Sequence, residues 1–308
     1  MEFASTRKLY ADLHNHSTAS DGDYSPTALI EQAKKLKLRI VALTDHDSID
    51  GLKEALTTAD AAGIQLVAGV EVSLAFRRPE FTGTLHVLVY FKQSLLKNQK
   101  FIQDIESVMQ LGRGDALIRS RVTAINEIFG PDGREPQLKS LLHSDDLTVY
   151  SANVTRRHFA LALKEKHGIT DDAVVARIIG NASPAYVPSG IDLEQLKLAL
   201  KPYPVLRVLA HPAAGSFPGE SHYKEVLPPL ETVERMLVEF LEFGIQGIEV
   251  HYPGHTAEHR QILLNWAEYH GLVTTGGSDC HDAAARPLGV DGLTAEEWVV
   301  FERRLNEL

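Results

Sequence analysis

Histidines and carboxylates recur in short clusters along this chain. The first is Asp12-Leu13-His14-Asn15-His16, followed by Ser20-Asp21-Gly22. In extended backbone, residues two apart project from one face, so His14 and His16 can reach a single metal ion with little reorganisation. Thr44-Asp45-His46-Asp47 follows an apolar stretch at 40–43, and Gly69-Val70-Glu71 puts a carboxylate directly after another at 66–70. His86 stands at the beginning of an apolar run at 85–91, His211-Pro212 ends the run at 205–210, and Ser278-Asp279-Cys280-His281 follows the one at 272–275. Any one cluster is compatible with a surface histidine or a helix cap. All six at predicted strand ends, where α/β barrels place their sites, point to metal. Imidazole and carboxylate without thiolate suit manganese, iron or zinc in a hydrolytic site rather than a structural zinc knot, and the number of ligands implies more than one ion.

The elements that must position these groups are readable from apolar spacing. Ser25-Pro26 predicts an N-cap and first turn, continued by Leu29, Ile30, Ala33 and Leu36. Strands are expected at 40–44, 65–70 and 85–91, with a helix at 51–62. After Lys92 the pattern turns helical, over 99–129 and 155–180, with Gly130-Pro131-Asp132-Gly133 as a turn between them. Strands at 205–210, 247–250 and 272–275 then alternate with helices at 231–243 and 257–270. Strand and helix alternation is the signature of a parallel α/β architecture. The expected organisation is a barrel from 1–94 and 191–308 with a mainly helical insertion at 95–190, and a surface excursion at 213–230.

At 308 residues and 44% hydrophobic composition the chain can bury a large core. Its 31 Lys and Arg against 41 Asp and Glu give a net charge of -10, which argues against broad attraction to long nucleic acid or membrane. Bound cations can reverse that sign locally, so metal is expected to carry anion binding. The first ten residues lack an apolar run of signal-peptide length and no stretch reaches the ~20 apolar residues of a span, so a cytoplasmic location is expected. Cys280 is the single cysteine, which excludes an intrachain disulfide and a thiolate cluster; its place between two candidate ligands suggests packing rather than nucleophilic catalysis.

The ordered set His14-x-His16 with Ser20-Asp21-Gly22, Thr44-Asp45-His46-Asp47, Gly69-Val70-Glu71, Ala210-His211-Pro212 and Gly277-Ser278-Asp279-x-His281 resembles the motifs of the polymerase and histidinol phosphatase (PHP) superfamily. The resemblance implies a distorted (β/α)7 TIM-like barrel and a trinuclear site. His14, His16, Glu71 and Asp279 would bind one ion, Glu71 would bridge to a second held by His86 and His211, and Asp21, His46 and His281 would bind the third. Asp21 stands where some relatives carry histidine. Within the superfamily the chain is similar to short bacterial phosphoesterases that include nucleoside 3',5'-bisphosphate phosphatase and a 5'-to-3' exoribonuclease. Val154-Thr155-Arg156-Arg157-His158-Phe159-Ala160, Tyr186-Val187-Pro188, Gly247-Ile248-Glu249-Val250 and His255 carry that likeness. The segments at 77–83 and 213–230 are longer than in those relatives.

The resemblance implies a phosphoester hydrolase that uses metal-activated hydroxide on a phosphorylated nucleotide or short oligonucleotide end, with two or three divalent transition-metal ions as cofactors and Glu71, Asp279 and His211 at the reacting centre. Arg156 and His158 would clamp a substrate phosphate, with Arg119, Arg121 and His255 as further candidates. On residue chemistry alone, an ion pair on the helix surface is the simpler account of Arg156 or Arg157. A histidinol-phosphate phosphatase and a noncatalytic metal-binding module are the alternatives.

Overall fold

Short apolar runs flanked by helices have no face for water, and they fold here as buried central strands. The computed structural model describes residues 7–151, 154–218 and 226–308. One sheet holds seven strands in chain order: β1 (Ala11–Asp12), β2 (Ile40–Leu43), β3 (Gln65–Arg77), β4 (Thr82–Phe91), β5 (Val205–Leu209), β6 (Gly247–His251) and β7 (Val273–Gly276). Its two edges meet where Leu13 N donates to Gly276 O at 3.1 Å, so the sheet curls into a nearly closed barrel. This is the distorted seven-stranded barrel that the sequence implies.

Two corrections apply to the strands. β4 runs antiparallel to both β3 and β5, whereas all other neighbours are parallel. Residues 78–81 alone separate β3 from β4. A parallel crossover needs about a dozen residues, so the chain turns back as a hairpin. β3 also continues past Glu71 to Arg77, and β4 begins four residues before His86, so these two side chains lie within strands and not at strand ends.

Helices cover the barrel: α1 (Pro26–Lys35) and α2 (Leu52–Ala62) near the N-terminus, then α3 (Gln99–Leu111), α4 (Gly114–Phe129), α5 (Asp145–Thr148), α6 (Arg156–His167), α7 (Asp172–Ile179) and α8 (Leu193–Leu200). After β5 come α9 (Leu230–Phe243), α10 (Ala257–His270) and α11 (Ala295–Asn306). Ser25 caps α1 by accepting from Ala28 N at 3.1 Å, with Pro26 in the first turn. The single helices expected at 99–129 and 155–180 are each two. The first breaks at Gly112, where a Cβ would lie 2.3 Å from the Gly190 backbone, and the second stops at Gly168, whose φ of 70° suits a helix C-cap. Part of the excursion at 213–230, residues 219–225, lies outside the described residues.

Two apolar clusters sit outside the barrel and one inside it. Phe101 and Ile105 of α3 pack with α1, α2 and the outer faces of the strands. Ile125, Phe129, Phe159, Leu163 and Ile178 form a separate cluster between α4, α6 and α7. Leu13, Leu88, Tyr90, Val208, Trp298 and Phe301 fill the barrel interior, closed from below by α11. That helix went unrecognised in the sequence although Thr294 and Glu297 spell a capping box. No described helix is long and apolar enough to cross a membrane.

Tyr90 connects this interior to the site, because its hydroxyl donates to Leu13 O at 2.7 Å between Asp12 and His14. Tyr90→Phe leaves a buried carbonyl without its partner and is expected to lower unfolding free energy by about 1–3 kcal/mol in a urea titration. Leu198→Ala, on an exposed face, should stay within about 0.5 kcal/mol.

Candidate metal centre

Glu71 is fully buried and every other cluster converges on it. Its Oε2 lies 3.2 Å from His14 Nε2, 3.2 Å from His16 Nε2 and 3.1 Å from His46 Nδ1. Its Oε1 lies 3.0 Å from His211 Nε2 and 3.3 Å from His86 Nδ1. Asp279 Oδ1 is 3.1 Å from His16 Nε2 and 3.5 Å from His281 Nδ1, and His281 Nε2 is 3.3 Å from Asp21 Oδ1. The nine side chains singled out in the sequence as ligands thus come together in one cluster. Three sets have donor atoms within 4.8 Å of each other: His14, His16, Glu71 and Asp279; His46, Glu71 and His86; and His16, Asp21, His46 and His281.

The backbone is forced into place to make this approach. His14 and His16 lie just past β1, kept extended by a bridge from Asn15 to Cys280. A Cβ on Gly277 would sit 2.3 Å from His14 N, so the end of β7 can approach the His14 segment only with glycine there. Asp47, His211 and Asp279 have φ of 45°, 29° and 50°, a region that side-chain-bearing residues avoid and that recurs at functional sites. Asp12 accepts from Ser278 N at 2.9 Å, Gly289 N at 3.0 Å and Asn15 Nδ2 at 3.0 Å, tying the first cluster to the last. Asp45 accepts from Ser17 N at 2.7 Å and Ser20 Oγ at 2.6 Å. These two motif aspartates hold loops together.

Glu249 carries a role that the sequence reading did not assign. From β6 it lies 3.1 Å from His14 Nδ1 and accepts from His211 N at 2.8 Å. A carboxylate inside an otherwise apolar strand, Gly247-Ile248-Glu249-Val250, was the available signal. Taking the proton on His14 Nδ1 directs the bare Nε2 toward Glu71, the arrangement that orients metal-binding histidines. His281 Nδ1 donates to Asp279 O at 2.8 Å, with the same result for its Nε2. Tyr252 OH donates to Asp279 Oδ2 at 3.1 Å.

Charge balance in this pocket is tight. Burial works to raise the Glu71 pKa, but the imidazoles of His46, His14 and His86 outweigh it and hold the carboxyl well below its usual range. Burial alone would lower His16, yet the carboxylates of Asp279 and Glu71 push it up to about 9. His86, where burial dominates, falls to about 4. His14 Nε2, His16 Nδ1, Asp21 Oδ1 and Glu71 Oε2 are buried with no hydrogen-bond partner among the described residues. Buried polar atoms are nearly always paired, so orphaned imidazole and carboxylate atoms converging on common points fit divalent cations.

The candidate substrate residues separate. Arg156, in the first turn of α6, donates to Asn181 Oδ1 at 2.7 Å and lies over the Tyr186 ring at 5.8 Å. Arg121 is buried on α4, donates to Val187 O at 2.9 Å and pairs with no carboxylate among the described residues. With Phe159 and Tyr186 these two arginines line a small cavity of about 20 Å³ between α4, α6 and α7. Burial, then the charges of Arg156 and Arg113, lower Arg121 to about 9. His158 is buried at the third helical position, where its Nδ1 accepts from Thr155 N at 2.9 Å. Two further candidates lie apart from this cavity. Arg119 is exposed on the outer face of α4 beside Asp115, and His255 has both ring nitrogens engaged, Nε2 accepting from Ala213 N at 3.2 Å and Nδ1 donating to Val250 O at 3.0 Å. His255 therefore braces the loop after His211 and has no nitrogen to offer a phosphate. Cys280 is buried, and burial beside Asp12 and Asp279 raises its thiol far above the range of a nucleophile.

Comparison with known proteins agrees with this geometry. The chain is 29% identical over 275 residues to a 5'-3' exoribonuclease of Haemophilus influenzae, covering 88% of this chain and 89% of that one. It is 29% identical over 278 residues to a 3',5'-nucleoside bisphosphate phosphatase of Chromobacterium violaceum, covering 88% of this chain and 86% of that one. A solved structure from Bifidobacterium adolescentis, provisionally named a metal-dependent phosphoesterase, superposes with a TM-score of 0.72 at 25% identity over 96% of both chains. The PHP domain model matches residues 12–174, more than half of the chain and including six of the nine clustered positions, His14 to His86. This chain belongs to the PHP domain family.

Proposed function

We propose that the chain hydrolyses phosphoesters of a nucleotide or the end of a short oligonucleotide, with two or three divalent transition-metal ions, manganese, iron or zinc, held around Glu71. The observation that carries this reading is the Glu71 carboxylate, whose two oxygens face five imidazoles from four different segments of chain. His14, His16, Glu71 and Asp279 would hold one ion; Glu71, His86 and His211 a second; Asp21, His46 and His281 a third, with His16 close enough to join them. Ions in these positions supply Lewis acidity to phosphoryl oxygens and to water. The protein's own part is to orient the imidazoles through Glu249 and the Asp279 carbonyl and to exclude other partners from the buried donor atoms.

The insertion, taken as 95–190 between barrel segments 1–94 and 191–308, would bind the rest of the substrate. Arg121 is a buried cation with no carboxylate partner among the described residues, and Arg156 shares its cavity, which favours a second anionic group on the substrate. His158 lies beside Arg156 on α6 and borders the field of Asp21.

Dialysis against a strong chelator is expected to abolish phosphate release and to lower the melting temperature, and restored manganese should recover both; full activity in protein shown by elemental analysis to be metal-free would refute the metal assignment. Glu71→Gln, which keeps the size but removes the charge, should cut turnover by orders of magnitude together with metal content. Arg156→Ala is expected to lower kcat/KM for a nucleoside 3',5'-bisphosphate about ten- to a hundredfold, from the ~1.5–3 kcal/mol of a hydrogen bond to a charged group, and to leave an aryl phosphate nearly unchanged. Equal losses on both substrates would put Arg156 at the scissile phosphate instead.

A further inference from the structure

Two arginines of the insertion reach back to the barrel, and the aspartates they meet all adjoin one group of candidate ligands. Arg113, in the break between α3 and α4, pairs through Nε with Asp47, the residue after His46. Its other nitrogens donate to Ser73 Oγ at 3.0 Å and to Val154 O at 3.3 Å, so one partly buried guanidinium joins the His46 loop, β3 and the approach to α6. Asp47 in turn accepts from Ser73 N at 2.8 Å. Arg157, on α6, lies 2.6 Å from Asp23 and 3.7 Å from Asp282. Asp23 is two residues past Asp21 and donates its own N–H to His281 O at 2.6 Å; Asp282 follows His281. His46, Asp21 and His281, with His16, are the set that could hold the third ion.

We infer that Arg113 and Arg157 are positioning residues for this third metal site: the insertion clamps the three loops that supply its ligands, so retention of that ion depends on the insertion being docked. This rests on the metal assignment made above and adds to it an unequal dependence among the sites. The first set draws His14, Glu71 and Asp279 from segments fastened to one another by Asp12, Glu249 and the sheet itself. The third draws Asp21, His46 and His281 from loops beyond the strands, whose contacts with α6 and the Arg113 turn are ionic. Partners that orient ligands typically alter metal affinity about 10–100-fold, and partly exposed ion pairs about fivefold at most. Arg113, its side chain only 9% exposed and with three acceptors, belongs to the first category; Arg157 belongs to the second.

The test is manganese retention by the full chain. Manganese-loaded protein is equilibrated against graded chelator and the ions per chain are counted by elemental analysis, with His281→Ala marking which step belongs to the third site. Arg113→Ala should shift that step alone by about 10–100-fold and Arg157→Ala by up to about fivefold, with Arg157→Lys recovering most of the difference. Arg119→Ala, an arginine of the same insertion beside Asp115 on the exposed face of α4, should match the unaltered chain. Circular dichroism melts identify a variant that has unfolded, and Arg157→Ala, at a partly exposed position, decides the matter if Arg113→Ala does so. Equal shifts in every step, or no shift in either variant, would overturn the clamp. If His281→Ala itself retains manganese like the unaltered chain, the metal assignment fails and the clamp falls with it.

Discussion

The constraint on which the structure depends is the burial of carboxylates among imidazoles, away from bulk solvent. Glu71 and Glu249 are wholly inaccessible and Asp279 nearly so. An isolated buried carboxylate is strongly disfavoured, and pairing with a neighbouring cation must offset its desolvation. Two kinds of cation can do so here, protons on the histidines or metal ions between them. His16 is driven up to about 9 by its carboxylate neighbours while His86 is driven down to about 4, so protons satisfy the pocket unevenly. Orphaned atoms on His14, His16, Asp21 and Glu71 remain. Metal ions satisfy both the charge and the orphaned atoms at once, which is why the ligand chemistry and the electrostatics lead to the same conclusion.

The barrel is distorted in the place where this pocket needs it. Glu71 is registered opposite Leu88 in the β3–β4 hairpin, and His86 is two residues from Leu88. Side chains two apart share a face, so Glu71 and His86 are diagonal neighbours on one side of an antiparallel pair. A parallel β4 entering through a crossover would start a new strand from the far end of the barrel and would not fix these two residues by register. The short turn at 78–81 is therefore part of the site's construction. So are the strained backbones of Asp47, His211 and Asp279, each held by hydrogen bonds or ion pairs on both sides.

Much of this was legible in the residues themselves. The ligand types, their spacing and the apolar runs before them pointed to the convergence in one cluster, because polar groups at the end of a buried strand have few other destinations. What was not legible depended on partners far apart in sequence. Glu249 looked like one charged residue in a strand until His14 was beside it. His255 looked like a phosphate ligand because its two hydrogen bonds, to Val250 and Ala213, are made by the backbone and leave no side-chain signature. Arg121 and Arg119, two residues apart on α4, were indistinguishable by type, and helical geometry sends one into the insertion core and the other into solvent. The antiparallel β4 could have been deduced from the length of its connection.

The same separation of local from global properties governs what the pocket selects. A net charge of -10 opposes long polyanions at a distance, where the whole molecule contributes to the field. Within about a Debye length the balance is different, because burial first, and then the charges of Arg156 and Arg113, destabilise the Arg121 guanidinium. On the proposed reading, a phosphate brought to that locus would relieve repulsion among the arginines as well as form new contacts. A short substrate with anionic groups at both the carboxylate-imidazole centre and the arginine cavity would gain from both ends and expose little further charge to the acidic surface. A long one would carry its remaining phosphates across that surface, a cost that grows as salt is lowered and screening weakens.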